Sequence, residues 1–529
     1  MRHFTLYLWI GLSTFYSCTP KEPSAYKIFK YNQASGITSL DPAFAKNQAN
    51  IWAVTQFYNG LVQLDSNMMI RPCLAKSWTF SEDGLQITFK LRTDVSFHQN
   101  EVFGDSTRTL NAHDVVFSFN RIIDEKVASP GSWIFNNKVD PSAPFIALND
   151  STFRLNLKQS FGPILGILTM PYCFVVPHEA IAKYGKDFRA HPLGTGPFTF
   201  KVWEEGTALV GLKNKNYFER DDVNQSLPYL DGFKVSFMES KKMEFLSFMK
   251  GDLDLLSGVD KSFVNDILDE NASLKMEWEA QLNLFKAPFL NTEYLGFNTV
   301  GKDKWAKLKA FRQAVNYCYD KENMIKYLRK GVGFPAVNGF IPKGLPPYSN
   351  RESKGYNYNP EKAAILLQEI DYQGQEVVLN TNETYKDMAL FIANEAEKVG
   401  LNLKVEVVQP SLLRERMVSG QVDFFRGSWI ADYPDAENYL SLFYSGNGAP
   451  PNYTRFANEN FDQLYEEAFA IGELENRLSI YEKMDSILIE EAPVVFLYYD
   501  ELIRLTHKNI QGMKPNAFNA LNLKLVKKY

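Results

Sequence analysis

A chain of 529 residues is too long to close around one hydrophobic core, because single cores stop growing beyond about 250–300 residues. It must divide into lobes with separate interiors. The material is ample: 45% of the residues are hydrophobic and 14% aromatic, which argues against disorder. Past the first dozen residues, no run reaches the roughly 18 uninterrupted apolar residues of a membrane helix. The interiors are therefore expected to close in water.

The charges set the partners. Lys and Arg number 57 against 62 Asp and Glu, a net of -5 spread along the chain. Nothing resembles the clustered basic footprint that a phosphate backbone requires, so nucleic acid is excluded as a partner. Cys18, Cys73, Cys173 and Cys318 include no close pair, so neither a zinc knuckle nor a dithiol redox site is written here. The last three sit among apolar neighbours and read as small buried hydrophobes, with any pairing among them left open. Cys18 differs. Residues 1–17 run from Arg2 through the apolar stretch Phe4–Leu12 to Ser13, Thr14 and Ser17, the order of a secretory signal. Cys18 follows, and 18–26 form a polar, proline-broken tether.

Periodicity gives a mixed α/β chain. "ITSLDPAFAKNQAN" (37–50) reads as a loop after an opening strand at 26–31. In 76–92, Ser81-Glu82-Asp83-Gly84 is a turn, and beyond it Leu85, Ile87, Phe89 and Leu91 alternate with polar residues. Asn111 is placed to cap a helix whose third residue, Asp114, suits the positive end of the dipole, with Val115, Phe119 and Ile122 on one face. Segments 232–260 and 375–408 each read as strand–helix–strand. In the second, Met388, Ile392, Ala396 and Val399 form a helical stripe that Gly400 stops. A helix opens at Asn359-Pro360. Another, carrying Leu478, Tyr481, Met484 and Leu488, ends at Ala492-Pro493 before the buried strand "VVFLYY".

Four separated segments carry a family pattern. They are "LAKSWTFSEDGLQITFKLRTDVSFHQNEVF" with "LNAHDVVFSFNR"; "HPLGTGPFTFKVW"; "LGFNTVGKDKWAKLKAFRQAVNYCYDKENMI" with "GVGFPAVNGFIP" and "NPEKAAILLQEI"; and "GSWIADYPDAENYLSLFYSGNGAPPNYTRFANENFDQL". Together they resemble the family-5 extracellular solute-binding proteins, the dipeptide- and oligopeptide-binding components of ABC importers. The resemblance implies a two-lobed periplasmic-binding-protein (venus flytrap, type II) fold with an extra inserted domain. Residues 27–58, 188–285 and 498–529 would form lobe I, 59–187 the inserted domain, and 286–497 lobe II. Two strands, near "FLNTEYLGFNT" and "VVFLYYDEL", would cross between the lobes. The leader resembles a lipoprotein signal, which would make Cys18 the lipidated first residue and hold a monomer at the periplasm or cell surface.

A peptide offers an ammonium, a carboxylate and a backbone of alternating donors and acceptors. A receptor for many sequences should pair with the backbone and fix register by gripping the ammonium. The resemblance assigns that grip to Asp432, in the motif Trp429-Ile430-Ala431-Asp432. It gives Ser428 and Ile430 backbone contacts and Trp429 a pocket wall. By the residues alone, Asp432 either meets the ligand or starts a turn or caps the helix near Asp435, and Asp435 is the better cap. The loop Lys46-Asn47-Gln48 corresponds to a peptide-pairing strand of the opposite lobe. Trp133 either faces the cleft or packs. The carboxylate partner stays open among Arg414, Arg416 and Arg426. Gly194-Thr195-Gly196-Pro197 lacks the Lys-Ser/Thr of a phosphate loop and reads as a structural turn, and His98 reads as structural.

No HExxH, GxSxG or GxGxxG occurs, so catalysis is not expected, and no cofactor is. The rival ligands on the same fold are a nickel chelate or haem and an oligosaccharide. Six histidines provide no close imidazole pair for the first, whereas 27 Tyr, 40 Phe and 8 Trp leave the sugar open.

Overall fold

The computed structural model describes residues 26–260, 262–346, 348, 355–472 and 474–529. The leader and Cys18 lie outside the described residues.

One long sheet runs through the molecule, and its two halves carry the two lobes. In the first half, Ile28–Asn32 pairs in parallel with both Gly232–Ser236 and Leu255–Ser257. The 232–260 unit is strand–helix–strand, with its helix at Lys241–Met249. Its two strands nevertheless do not touch, because the N-terminal strand lies between them. Antiparallel strands Ala208–Lys213 and Phe198–Glu204 complete this half. The run read as a loop through Asn50 is shorter than expected. Asn47 accepts the Asn50 N–H at 2.9 Å and caps a helix over Gln48–Phe57. That helix is buried on most of its surface, so its apolar residues form no single stripe. It brings Trp52 to 6.0 Å from Tyr31 and Phe57 to 5.7 Å from Phe233, ring centre to ring centre.

In the second half, Val377–Thr381 and Leu403–Val407 pair in parallel around the helix Lys386–Glu397. Met388, Ile392 and Ala396 are buried, as their spacing predicts. Gly400, at φ +86°, takes the left-handed turn that a side chain would resist. Phe424–Ile430 adds to Val377–Thr381 in parallel and to Leu282–Phe297 antiparallel.

Two long strands join the halves. Leu282–Phe297 (16 residues) pairs antiparallel with Val494–His507 (14 residues), which continues well past the expected 494–499. Their ladder runs from Leu282–His507 to Pro288–Glu501, breaks, and resumes at Thr292–Tyr499. Pro288 has no N–H to donate, so the ladder loosens where the chain passes from one lobe to the other.

Residues between the first helix and the strand at 198 build a separate four-stranded antiparallel sheet. The hairpin Ala75–Phe80/Gln86–Leu91 closes at Gly84, φ +67°. Ile87, Phe89 and Leu91 face its interior, each contributing about 1.5–3 kcal/mol on full burial. Helix Ala112–Ile123 covers the sheet, begun by a reciprocal Asn111–Asp114 capping box. This unit also packs on the second lobe. Tyr433 joins its core, Phe161 lies 5.2 Å from Phe469, and the Gly162 N–H donates to the Phe469 carbonyl at 3.3 Å. A Cβ on Gly162 would stand 2.1 Å from the Ile471 carbonyl oxygen, so only glycine permits this approach.

Candidate functional site

A cavity of about 460 Å³ opens where the three units meet. The first lobe contributes Gln48 and Trp52, the inserted unit Trp133 and Tyr172, and the second lobe Ile430 and Asp432, while Phe289 enters from the break in the crossing strands.

Asp432 owes its place to the end of a strand. Ala431 N–H donates to Leu290 O at 2.9 Å, the last rung of Phe424–Ile430 against its neighbour, and the chain then turns away. Asn438, buried on the short helix Glu437–Leu440, fixes the turn: its Oδ1 accepts from Asp432 N–H at 3.1 Å and from Trp429 Nε1 at 2.9 Å. The Asp432 side chain is open to the cavity, yet the walls strip it of much of its hydration. Burial pushes its carboxyl up to about 6, against a smaller opposing effect of the hydrogen bond to Asn438. Among the described residues, no Lys, Arg or His pairs with it. Tyr172, pushed up to about 12 by burial and then by the Asp432 charge, stands nearby. Neither aspartate is the cap of the helix Glu437–Leu440, which is Ala436, but Asp435 just before it accepts the Glu437 N–H at Oδ1, 3.0 Å away, and is buried against Arg477.

Of the residues predicted from sequence, Gln48, Trp133, Ile430 and Asp432 border the cavity. Trp133 and Ile430 are 38% and 50% exposed. Ser428 and Trp429 do not border it. Ser428 sits in the strand opposite Glu293, and the Trp429 ring is half-buried against the second lobe's core. Lys46-Asn47-Gln48 is no strand, since Asn47 and Gln48 begin a helix. The edge of Phe424–Ile430 away from 291–295 pairs with Val377–Thr381 only as far as Phe425. Among the described residues, no strand occupies that edge beyond it.

The three arginines leave the cavity unserved. Arg426 is bound to buried Glu293 and lies over the Tyr385 ring at 3.4 Å, Arg416 pairs with Glu406 at 3.2 Å, and Arg414 is exposed. None of the three borders the cavity. Cys73, Cys173 and Cys318 are free and buried. The His98 Nε2–H donates to the Gly196 carbonyl, 2.9 Å away, and burial lowers the imidazole to about 4. It is therefore a neutral strut for the Gly194–Pro197 turn. One cluster with metal-ligand spacing, Asp114, His178 and Glu179, is already filled by the Arg108 guanidinium.

The comparison with known proteins fits this geometry. The family model of the bacterial extracellular solute-binding proteins, family 5 Middle, matches residues 69–451. The chain belongs to this family. As a family 5 protein it is the solute-binding component of an ABC transporter, working outside the cytoplasm. It is similar to heme-binding protein A of Haemophilus influenzae, 30% identical over 499 residues, 90% of this chain and 87% of that one. Its fold matches HbpA2 from Haemophilus parasuis, with a TM-score of 0.83 at 24% identity over 95% of this chain and 100% of that one. It also matches the periplasmic binding protein DppA from Helicobacter pylori in complex with the peptide STSA, with a TM-score of 0.72 at 25% identity over 95% and 98%. The two-lobed family 5 architecture is thus that of the known binding proteins, and Asn438, which holds Asp432, is one of the residues that sequence reasoning passed over.

Proposed function

We propose that this protein captures short peptides by their free amino terminus and delivers them to the permease of an ABC importer. The observation that carries the reading is Asp432, a carboxylate open to the cavity where the three units meet, with no cationic partner among the described residues. Such a charge is costly when unpaired and strongly favourable when it meets an ammonium. The free edge of Phe424–Ile430 beyond Phe425 supports backbone pairing through Ser428 and Ile430. Trp429 braces this edge, and Gln48 and Trp133 complete the cavity from the other units. Backbone recognition leaves side chains loosely held, as a receptor for many sequences needs. The protein works as a monomer, tethered through a lipidated Cys18, and binding draws the lobes together by as much free energy as the ligand gains in the closed form.

A haem ligand is the second reading, favoured by the 30% identity to heme-binding protein A. Haem has no ammonium for Asp432 to meet, however, and no histidine borders the cavity among the described residues. Haem uptake would be visible as a porphyrin absorption band on titration.

The pH dependence of peptide affinity tests the main reading. In the empty cavity the Asp432 carboxyl titrates near 6, and a bound ammonium lowers that value. Near pH 7 the carboxylate is mostly ionised while the peptide's ammonium, ordinarily about 8, still holds its proton, so affinity is at its maximum there. As pH falls through 6, binding must first expel a proton, so affinity falls about tenfold between pH 7 and pH 5. Calorimetry in two buffers of different ionisation enthalpy should show proton release at the lower pH. A flat profile over this range would remove the ammonium from the site.

A further inference from the structure

The cavity wall holds a second ionised group that sequence reasoning did not single out. Lys524, in the C-terminal segment, is only 9% exposed and borders the cavity. Its Nζ donates to Gln63 Oε1 at 2.8 Å and to Glu219 Oε2. Glu219 does not border the cavity. It accepts from Gln63 Nε2 at 2.6 Å and from the Tyr217 hydroxyl at 3.0 Å, two residues that also border the cavity. Burial works to raise the Glu219 carboxyl, but Lys524, Gln63 and Tyr217 outweigh it and keep the group below its usual range. The carboxylate is thus committed, and its partner is fixed in place.

The order of these groups decides what the cavity sees. Lys524 borders the cavity and Glu219 does not, so the cationic member of the pair is the one a ligand can meet. Two of its three N–H bonds are spent on Gln63 and Glu219, and among the described residues the third has no protein acceptor. The other cation on the wall, Lys46, is exposed, where a charge is screened by water and contributes little. With Asp432 on the second lobe's wall, the cavity carries one fixed negative and one fixed positive site.

We propose that Lys524, positioned by Gln63 and Glu219, receives a carboxylate of the bound ligand and so selects zwitterionic peptides of limited length. The assignment rests on the peptide reading above. The carboxylate is the peptide's own C-terminus or that of an acidic side chain. Lys524 acts as a specificity residue that touches the ligand, whereas Gln63 and Glu219 act through it.

The test is calorimetry with a panel of unblocked di-, tri- and tetraalanine, the same peptides amidated at the C-terminus or acetylated at the N-terminus, and analogues with one alanine replaced by glutamate. Lys524→Met alone would strand the buried Glu219 charge, so the variant carries Glu219→Gln as well. For the wild type, amidation of the best-binding peptide is expected to weaken binding at least tenfold, and the double variant should bind acid and amide alike. If instead the glutamate analogue gains affinity in the wild type and loses that gain in the double variant, Lys524 still reads a carboxylate, and the source is a side chain. A double variant that discriminates acid from amide as the wild type does, or a wild type indifferent to both amidation and glutamate, overturns the proposal. Acetylation separates the two readings. If acetylation weakens binding and amidation does not, only the role of Lys524 falls; if acetylation changes nothing or no panel peptide binds, the peptide reading has failed first.

Discussion

Asp432→Asn is expected to weaken binding of an unblocked peptide by at least tenfold and to leave binding of the N-acetylated peptide nearly unchanged. A hydrogen bond between ionised partners contributes about 1.5–3 kcal/mol, which corresponds to roughly 10- to 150-fold in affinity. Asparagine keeps the shape and a hydrogen-bonding oxygen, so the loss isolates the charge. The same change should not lower thermal stability at neutral pH. The cavity raises the Asp432 carboxyl to about 6, which means that the folded protein disfavours the ionised form above that pH, and a neutral side chain relieves this cost. Calorimetry with the two peptides and a melting curve together decide the point. Equal losses for both peptides, or a lower melting temperature, would mark Asp432 as a structural residue.

Arg477→Met should be the most destabilising single change near the site, costing about 3–5 kcal/mol. Arg477 and Asp435 are 3% and 4% exposed and pair at 2.8 Å. Asp435 also accepts from the Tyr481 hydroxyl at 2.9 Å and from the Glu437 N–H, so its ionised form is built into the start of the helix that carries Asn438. Removing the guanidinium leaves that carboxylate buried and unpaired, beside a second buried carboxylate, Glu437, which accepts from the hydroxyls of Tyr433 and Tyr465. The damage should spread in two directions. Asn438 loses its firm support, so Asp432 is less well placed, and the contact between the inserted unit and the second lobe loosens around Gly162. The expected readout is a clear fall in the melting temperature of the transition that includes the second lobe, with weaker peptide binding. A melting curve that superimposes on the wild type would show that the pair contributes little.

Local patterns made much of the fold legible in the sequence. The Asn111–Asp114 box, the alternation through Ile87, Phe89 and Leu91, and the stripe of Met388, Ile392 and Ala396 all report a neighbour a few residues away. The misreadings came from the opposite situation. The helix Gln48–Phe57 is surrounded on most sides, so burial erased the stripe that would have marked it, and only the Asn47 cap was there to be noticed. Nothing local announces that Ile28–Asn32 lies between two strands more than two hundred residues later in the chain. The site divides in the same way. Asp432 was reached through a resemblance carried by its immediate neighbours. Lys524 meets Gln63 across a separation of 461 residues and Glu219 across 305, and no pattern in one segment encodes that meeting. Asn438, six residues beyond Asp432, was within view. Its signal was an amide next to the apolar pair Tyr439-Leu440 in a short helix, where a buried amide needs partners.

The decisive experiment on Asp432 is a crystal structure of the protein with the ligand it captures from a peptide mixture. A peptide amino nitrogen is expected within hydrogen-bonding distance of the Asp432 carboxylate, with the peptide backbone along the free edge of the strand that ends at Ile430. A trapped molecule without an amine, or a carboxylate turned away from it, would show that the ammonium is not what this cavity binds.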